Sequence, residues 1–149
     1  MADATRRIPP LRTVVTGVAS DAHTWNLLYL QLLLQELGHQ VTNLGACVPE
    51  DLLAEHCLAE RPDLVVVGTV NGHGVRDGLR LIAALRARRE LARLPVVIGG
   101  RLTTDGRTTP AQVRRLLDAG FAAVFDGDAE ITEFCLFVSA LAMRHAAVP

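Results

Sequence analysis

The sequence predicts a single α/β domain in which a five-stranded parallel sheet is covered by helices on both faces. Three observations carry this. Strand patterns and helix patterns alternate from Thr13 to His145 with short connections, which argues for a parallel sheet built with right-handed crossovers. Half of the residues are apolar but only 4% are aromatic, so the core is drawn from Leu, Val, Ile and Ala, as suits strands buried on both faces. A chain of 149 residues is also the size of one domain with a full hydrophobic core.

Each element follows from its own residues. Thr13–Ala19 (TVVTGVA) reads as a first strand, and Asn26–Leu37 as a helix stopped by Gly38. Gln40–Leu44 is a short strand, and Pro49–Glu60 a helix with proline in its first turn. Leu64–Val70 (LVVVGTV) is a continuous apolar strand that runs into the glycine-rich Asn71-Gly72-His73-Gly74. Val75–Arg89 is a helix with an arginine-rich outer face, and Pro95–Ile98 a strand that ends at Gly99-Gly100. Pro110–Ala119 is a helix closed by Gly120, Ala122–Phe125 a last strand and Glu130–His145 a last helix. Five such units fit the flavodoxin-like, doubly wound strand order 2-1-3-4-5, in which ligands bind where the first and third strands diverge. The loops at that edge begin at Ser20, Val70, Gly99 and Asp126.

Composition narrows the function. The formal net charge is −1, so total charge gives no electrostatic case for nucleic acid or a membrane surface. All basic residues are arginine, which reflects composition rather than a site. Cys47, Cys57 and Cys135 form no CxxC pair and are odd in number, which argues against a disulfide framework or a structural zinc site. The polar start, with Arg6, Arg7 and Pro9-Pro10, has no apolar core and is not a signal peptide. No apolar run is long enough to span a bilayer. The expected layout is a flexible segment over residues 1–11 and one domain over 12–149, in the cytoplasm.

The informative stretch is Asp21-Ala22-His23, between the first strand and the first helix. A carboxylate beside a histidine can hold the ring so that its other nitrogen faces a metal. Equally, Asp21 can cap the helix and His23 can be an ordinary surface residue. Gly99-Gly100 allows close backbone approach or makes a plain turn. Gly72-His73-Gly74 admits a bulky ligand or simply turns the chain. No GxGxxG or GxxxxGK[ST] loop is present. Ser20, Asp21 and His23 have the residue types of a hydrolase triad, but no GxSxG elbow accompanies them. Asp126-Gly127-Asp128 with Glu130 reads as an acidic helix start that complements the dipole, with a cation site as the alternative. The first helix is apolar on nearly every side, from Trp25 to Leu37. Such surplus points to a partner surface or a large ligand, or to deep burial.

Together these elements resemble the cobalamin-binding domain family, and within it the separate small subunits of glutamate mutase (methylaspartate mutase). The family pattern is Asp-x-His-x-x-Gly, then Ser-x-Leu, then Gly-Gly, each after a strand. Asp21, His23 and Gly99-Gly100 match in type and spacing, and the likeness runs from about Arg12 to Ala140. Gly38-His39, Asn43-Leu44-Gly45 and Gly72-x-Gly74 match its flanks. Two places depart: Asn26 stands for the glycine, and Gly68-Thr69-Val70 for Ser-x-Leu. Asn26 tolerates a left-handed backbone better than most residues. Thr69 supplies a hydroxyl one position later, on the opposite face of a strand.

The resemblance implies that His23 is the lower axial ligand of cobalt in adenosylcobalamin, with the cofactor's own base displaced, and that Asp21 accepts a hydrogen bond from the other ring nitrogen. It implies a slot for the displaced nucleotide tail between the first and third strands, lined by Val18, Gly68, Val70, Gly99 and Gly100. The implied cofactor-binding set is Asp21, Ala22, His23, Thr24, Asn26, Gly68, Thr69, Val70, Gly72, Gly74, Gly99 and Gly100, with His23 the one metal ligand. The implied function is that of the small subunit of a carbon-skeleton mutase acting on glutamate or a related amino acid. Its partner would be a barrel-type large subunit that binds the substrate. No catalytic residue beyond the cobalt ligand is expected in this chain, which would be inactive alone. Two alternatives stand beside this: a corrinoid carrier for a methyltransferase or a radical enzyme, and a degenerate module that no longer binds cobalamin.

Overall fold

The computed structural model describes residues 8–127 and 130–148. In chain order the elements are β1 (Arg12–Thr16), α1 (Trp25–Glu36), β2 (Gln40–Asn43), α2 (Glu50–Glu60), β3 (Leu64–Thr69), α3 (Gly74–Arg86), β4 (Val96–Gly100), α4 (Pro110–Ala119), β5 (Ala123–Asp126) and α5 (Glu130–Ala147). The sheet order is β2-β1-β3-β4-β5 and every pairing is parallel. This is the doubly wound arrangement that the alternating pattern predicts.

Side chains alternate across the sheet with period two, so each strand feeds two cores. Val14, Val65, Val67, Val96 and Ile98 face α2, α3 and α4, where Leu53, Cys57, Leu81, Ile82, Leu85 and Leu116 meet them. Val15, Leu64, Val66 and Val97 face α1 and α5, against Leu27, Leu34, Phe134, Val138 and Ala142. The helix ends are built by local chemistry. Thr109 and Gln112 form a reciprocal capping box at α4, with Pro110 at its first position.

Several boundaries differ from expectation, three of them for visible reasons. The first strand stops at Thr16 rather than Ala19, because the chain turns there: the Asp21 amide donates to the Val18 carbonyl at 3.1 Å. The fourth strand continues through Gly99 and Gly100, which pair with Gly68 and Thr69. The third helix ends at Arg86 rather than Arg89, and the Arg86 guanidinium collects the carbonyls of Leu91 (2.6 Å), Leu94 (2.9 Å) and Gly120 (2.7 Å). The surplus apolar surface of α1 is exposed: Trp25, Leu28, Tyr29 and Leu32 lie half or more in solvent, whereas Leu27 and Leu34 are buried.

Cys47, Cys57 and Cys135 are free thiols. Among the described residues no helix is long and apolar enough to cross a membrane. The expected flexible segment over residues 1–11 falls largely, and Asp128 entirely, outside the described residues. Asp126 accepts the Thr108 amide at 2.9 Å, and Glu130 opens α5.

Candidate functional site

The site is organised by Asp21, whose residue is 1% exposed. Both carboxylate oxygens are occupied. Oδ1 accepts from the His23 amide at 3.0 Å and faces His23 Nδ1 at 2.7 Å. Oδ2 accepts from the Thr69 hydroxyl at 2.7 Å and the Val70 amide at 2.8 Å. Burial pushes this carboxyl up. The His23 and Val70 amides, then the Thr69 hydroxyl and the His23 ring, more than offset it and hold its pKa at about 2. Asp21 is therefore an anion, so the proton of a neutral His23 ring belongs on Nδ1. The Nε2 lone pair is left free, and the His23 side chain is half exposed.

A second network holds the loop from behind. The Ser20 hydroxyl donates to Asp77, Asn71 Nδ2 donates to Ser20 at 3.0 Å, and Arg76 Nε donates to Asp77 at 3.2 Å. Burial works to raise the Asp77 carboxyl, and Ser20 and Arg76 bring it below its ordinary value. The Cys47 amide donates to the Asp21 carbonyl at 3.0 Å. Ser20 thus serves Asp77 and no triad exists. Asn71 stood in the glycine-rich loop the sequence singled out, but Asp77 escaped the sequence reading. The available signal was an acid at position 77, inside the buried stripe of Gly74, Gly78 and Leu81.

A cavity of about 210 Å³ opens between α1 and α5, over the carboxyl ends of β3 and β4 and next to the Thr69 and Val70 that bond Asp21. Gly68, Gly99 and Gly100 form its floor, and Tyr29, Leu30, Phe125, Ile131 and Phe134 its walls, with Trp25, Asn26, Val70 and Glu130 also lining it. The glycines are required by their neighbours. A Cβ on Gly100, at φ +114°, would lie 2.1 Å from the Thr69 carbonyl oxygen, and one on Gly99 would lie 2.7 Å from that of Phe125. Burial, then the Glu133 and Asp126 carboxyls, push Glu130 above the usual carboxylate range.

The structure brings Asp21, His23, Thr69 and Val70 together, and gathers Asn26, Gly68, Gly99 and Gly100 around the cavity. Ala22 and Thr24 flank His23 on the surface. One expected lining residue, Val18, and two expected cofactor-binding residues, Gly72 and Gly74, lie elsewhere. Val18 is fully buried in the core under α2 and α3, because β1 ends before it. Gly72 and Gly74 pack on the loop after β4, where their Cβ atoms would meet Thr104 and Leu102. Asn26 has no left-handed backbone, since it sits in the first turn of α1. Trp25, Tyr29 and Leu30 belong to the apolar helix whose surplus pointed to a partner surface or a large ligand, but Phe125, Ile131 and Phe134 on the facing wall carried no such signal.

Comparison with known proteins places this geometry. The glutamate mutase sigma subunit of Halobacterium salinarum is 32% identical over 114 residues, 76% of this chain and 75% of that subunit. The HTH-type transcriptional repressor CarA of Myxococcus xanthus is 34% identical over 90 residues, and the match covers 60% of this chain but 30% of the repressor. Among solved structures, a cobalamin-binding protein from Desulfitobacterium hafniense superposes with a TM-score of 0.69 at 19% identity, over 87% of this chain and 59% of that one. The model of the B12 binding domain matches residues 11–133, so with its five-stranded 2-1-3-4-5 sheet this chain belongs to the B12-binding domain family.

Proposed function

We propose that this chain binds adenosylcobalamin with His23 on cobalt and presents it to a separate catalytic subunit, as the small component of a glutamate mutase-like isomerase. The observation that supports this most is the Asp21–His23 pair. Asp21, saturated by four donors, fixes the His23 ring through Nδ1 at 2.7 Å and leaves Nε2 as an outward nitrogen donor. Among the described residues no cluster of His, Cys, Asp or Glu makes a metal cage. A metal held by one imidazole must bring its other ligands, as the cobalt of a corrin ring does.

The residues fit such a group on two further counts. Gly99 and Gly100 present bare backbone against which a flat base can lie, and Asn26, which lines the slot, has a buried Oδ1 without a partner in the protein. When bound, adenosylcobalamin supplies a cobalt–carbon bond that opens to start radical chemistry, and the cofactor rather than the protein carries that step. The work of this chain is ligation and positioning. His23 Nε2 would hold the metal, Asp21 keeps the proton on Nδ1, and the slot would take the nucleotide tail. The amino-acid substrate would sit in a barrel-type partner subunit, docked where Trp25, Leu28 and Leu32 leave apolar surface exposed.

A second reading is a corrinoid carrier that serves a methyltransferase or another radical enzyme. The exposed stripe on α1 favours some partner without naming it. Both readings require His23. The test is titration with adenosylcobalamin. His23→Ala is expected to abolish the ligation spectrum, and Asp21→Ala to weaken affinity roughly 10–100-fold, the usual effect of losing an outer-shell partner. Unchanged affinity in both variants would sink the proposal. Activity on glutamate with an added large subunit separates mutase from carrier.

A further inference from the structure

Charge is unevenly shared along this chain. From Gly74 to Arg115 ten arginines stand against three acids, Asp77, Glu90 and Asp105, whereas the rest of the chain has five arginines against thirteen acids. The near-neutral total therefore hides a basic part and an acidic part. The basic part builds α3 and most of α4, which pack on the sheet face opposite α1 and α5. A cavity of about 390 Å³ lies between these two helices, beside the loops that follow β3 and β4. Val75 and Leu79 give it an apolar wall, and His73, Arg76, Gln112 and Arg115 supply polar groups. Among the described residues no carboxylate lines it. Arg76 commits Nε to Asp77, and its side chain is 66% exposed. Gln112 commits Oε1 to the Thr109 amide at 2.8 Å, which leaves its Nε2 donor. Arg115 forms no ion pair among the described residues. The three acids of the basic part do not reach it. Asp77 accepts from Ser20 and Arg76, and Asp105 from the Thr103 hydroxyl at 2.7 Å and the Arg107 amide at 3.1 Å. Glu90 lies at the amino edge of the sheet, beside Pro62 and Pro95.

We propose that this cavity is a second ligand site and that it takes a small organic carboxylate with an aliphatic body. A guanidinium grips a carboxylate through paired N–H donors, and Arg115 and the outer nitrogens of Arg76 are free to do so. The carbon chain then covers Val75 and Leu79, a gain that an inorganic anion cannot make. An apolar wall with a few convergent polar groups is the usual build of a small-molecule pocket, and the surrounding arginines draw anions toward it. A nucleic-acid backbone would use the arginines but leave the apolar wall idle. Its bases would also find no exposed aromatic ring to stack on, because Phe121 on this side is buried. The site lies across the sheet from the slot between α1 and α5, so the inference does not depend on the corrinoid reading.

The test is proton–nitrogen correlation NMR of the full chain, titrated with three probes: hexanoate, its neutral isostere hexanamide, and inorganic phosphate. Hexanoate is expected to shift the amides of His73, Val75, Gln112 and Arg115 with a Kd of about 1 mM, within reach of so small a ligand. Hexanamide lacks the charge and phosphate lacks the chain, so each should bind roughly tenfold more weakly. Arg115→Gln should weaken hexanoate by roughly tenfold as well, about the effect of losing a charge-assisted hydrogen bond. Arg114→Gln removes the same charge from a residue that lines a neighbouring cavity, and should leave hexanoate within roughly twofold of wild type. Equal losses in the two variants would mean that net charge alone attracts the anion, and would overturn the proposal. Equal affinity for hexanamide or for phosphate overturns it too, as do shifts centred on Gly68 and Gly99 in the other cavity. An absence of any shift with hexanoate in the wild type overturns it without recourse to a variant.

Discussion

Asp21 places an anion where little water reaches it, and the donors around it decide its charge. Its folded pKa of about 2 lies below the ordinary 3.8, so the folded state prefers the ionised form. A depressed carboxylate adds stability that is fully present above the ordinary value and is lost as pH falls through the folded value. The drop from 3.8 to about 2 corresponds to about 2 kcal/mol. The chain should therefore lose about that much stability between pH 5 and pH 2 from this residue alone. Denaturant unfolding of the wild type and Asp21→Asn across that range checks it. The gap between the two should narrow as the solution becomes acidic, and a gap that widens would show that the four donors do not favour the anion. His23 and Asp21 were legible as a pair because two polar residues stand out between an apolar strand and an apolar helix. Thr69 was not, because its bond to Asp21 at 2.7 Å joins residues 48 positions apart.

Glycines that look alike in sequence do different work in different elements. Gly38 ends α1 at φ +94° with open space around it, whereas Gly100 ends β4 at φ +114° against the Thr69 carbonyl. Gly38→Ala should destabilise by about 1 kcal/mol, the backbone cost alone. Gly100→Ala adds a clash at 2.1 Å with a backbone atom and should cost about 3 kcal/mol or more. Thermal melts of the two variants test the difference, and similar melting temperatures would contradict it. Helix α1 tells a parallel story. Leu28 and Leu32 are 52% and 55% exposed and touch neither core cluster. Leu28→Ser with Leu32→Ser should leave stability within about 0.5 kcal/mol of wild type, yet weaken assembly with a catalytic partner. Gel filtration of the mixed components reads the second effect. A large loss of stability would mean that these side chains serve the fold and not a partner.

At the scale of the whole molecule the fold was legible because it repeats one unit. Uniformly apolar strands such as Leu64–Val67 and glycine-stopped helices leave few alternatives to a parallel sheet. The boundaries were less legible. Gly17 and Val18 continue an apolar pattern after the chain has left the sheet, and Gly99-Gly100 stay in it only through pairing with β3. The cavity was the least legible feature, since it exists only where α1 and α5 approach over the same face. The carboxyl edge thus gathers a fixed imidazole, a glycine floor and an apolar helix face from segments distant in sequence. The claim on which this account depends is that His23 Nε2 binds cobalt. Electron paramagnetic resonance of the chain with cob(II)alamin, with and without nitrogen-15 histidine, tests it directly. The account predicts a nitrogen splitting on cobalt that changes with the label and vanishes in His23→Ala. A spectrum of bound cob(II)alamin that ignores the label would contradict it.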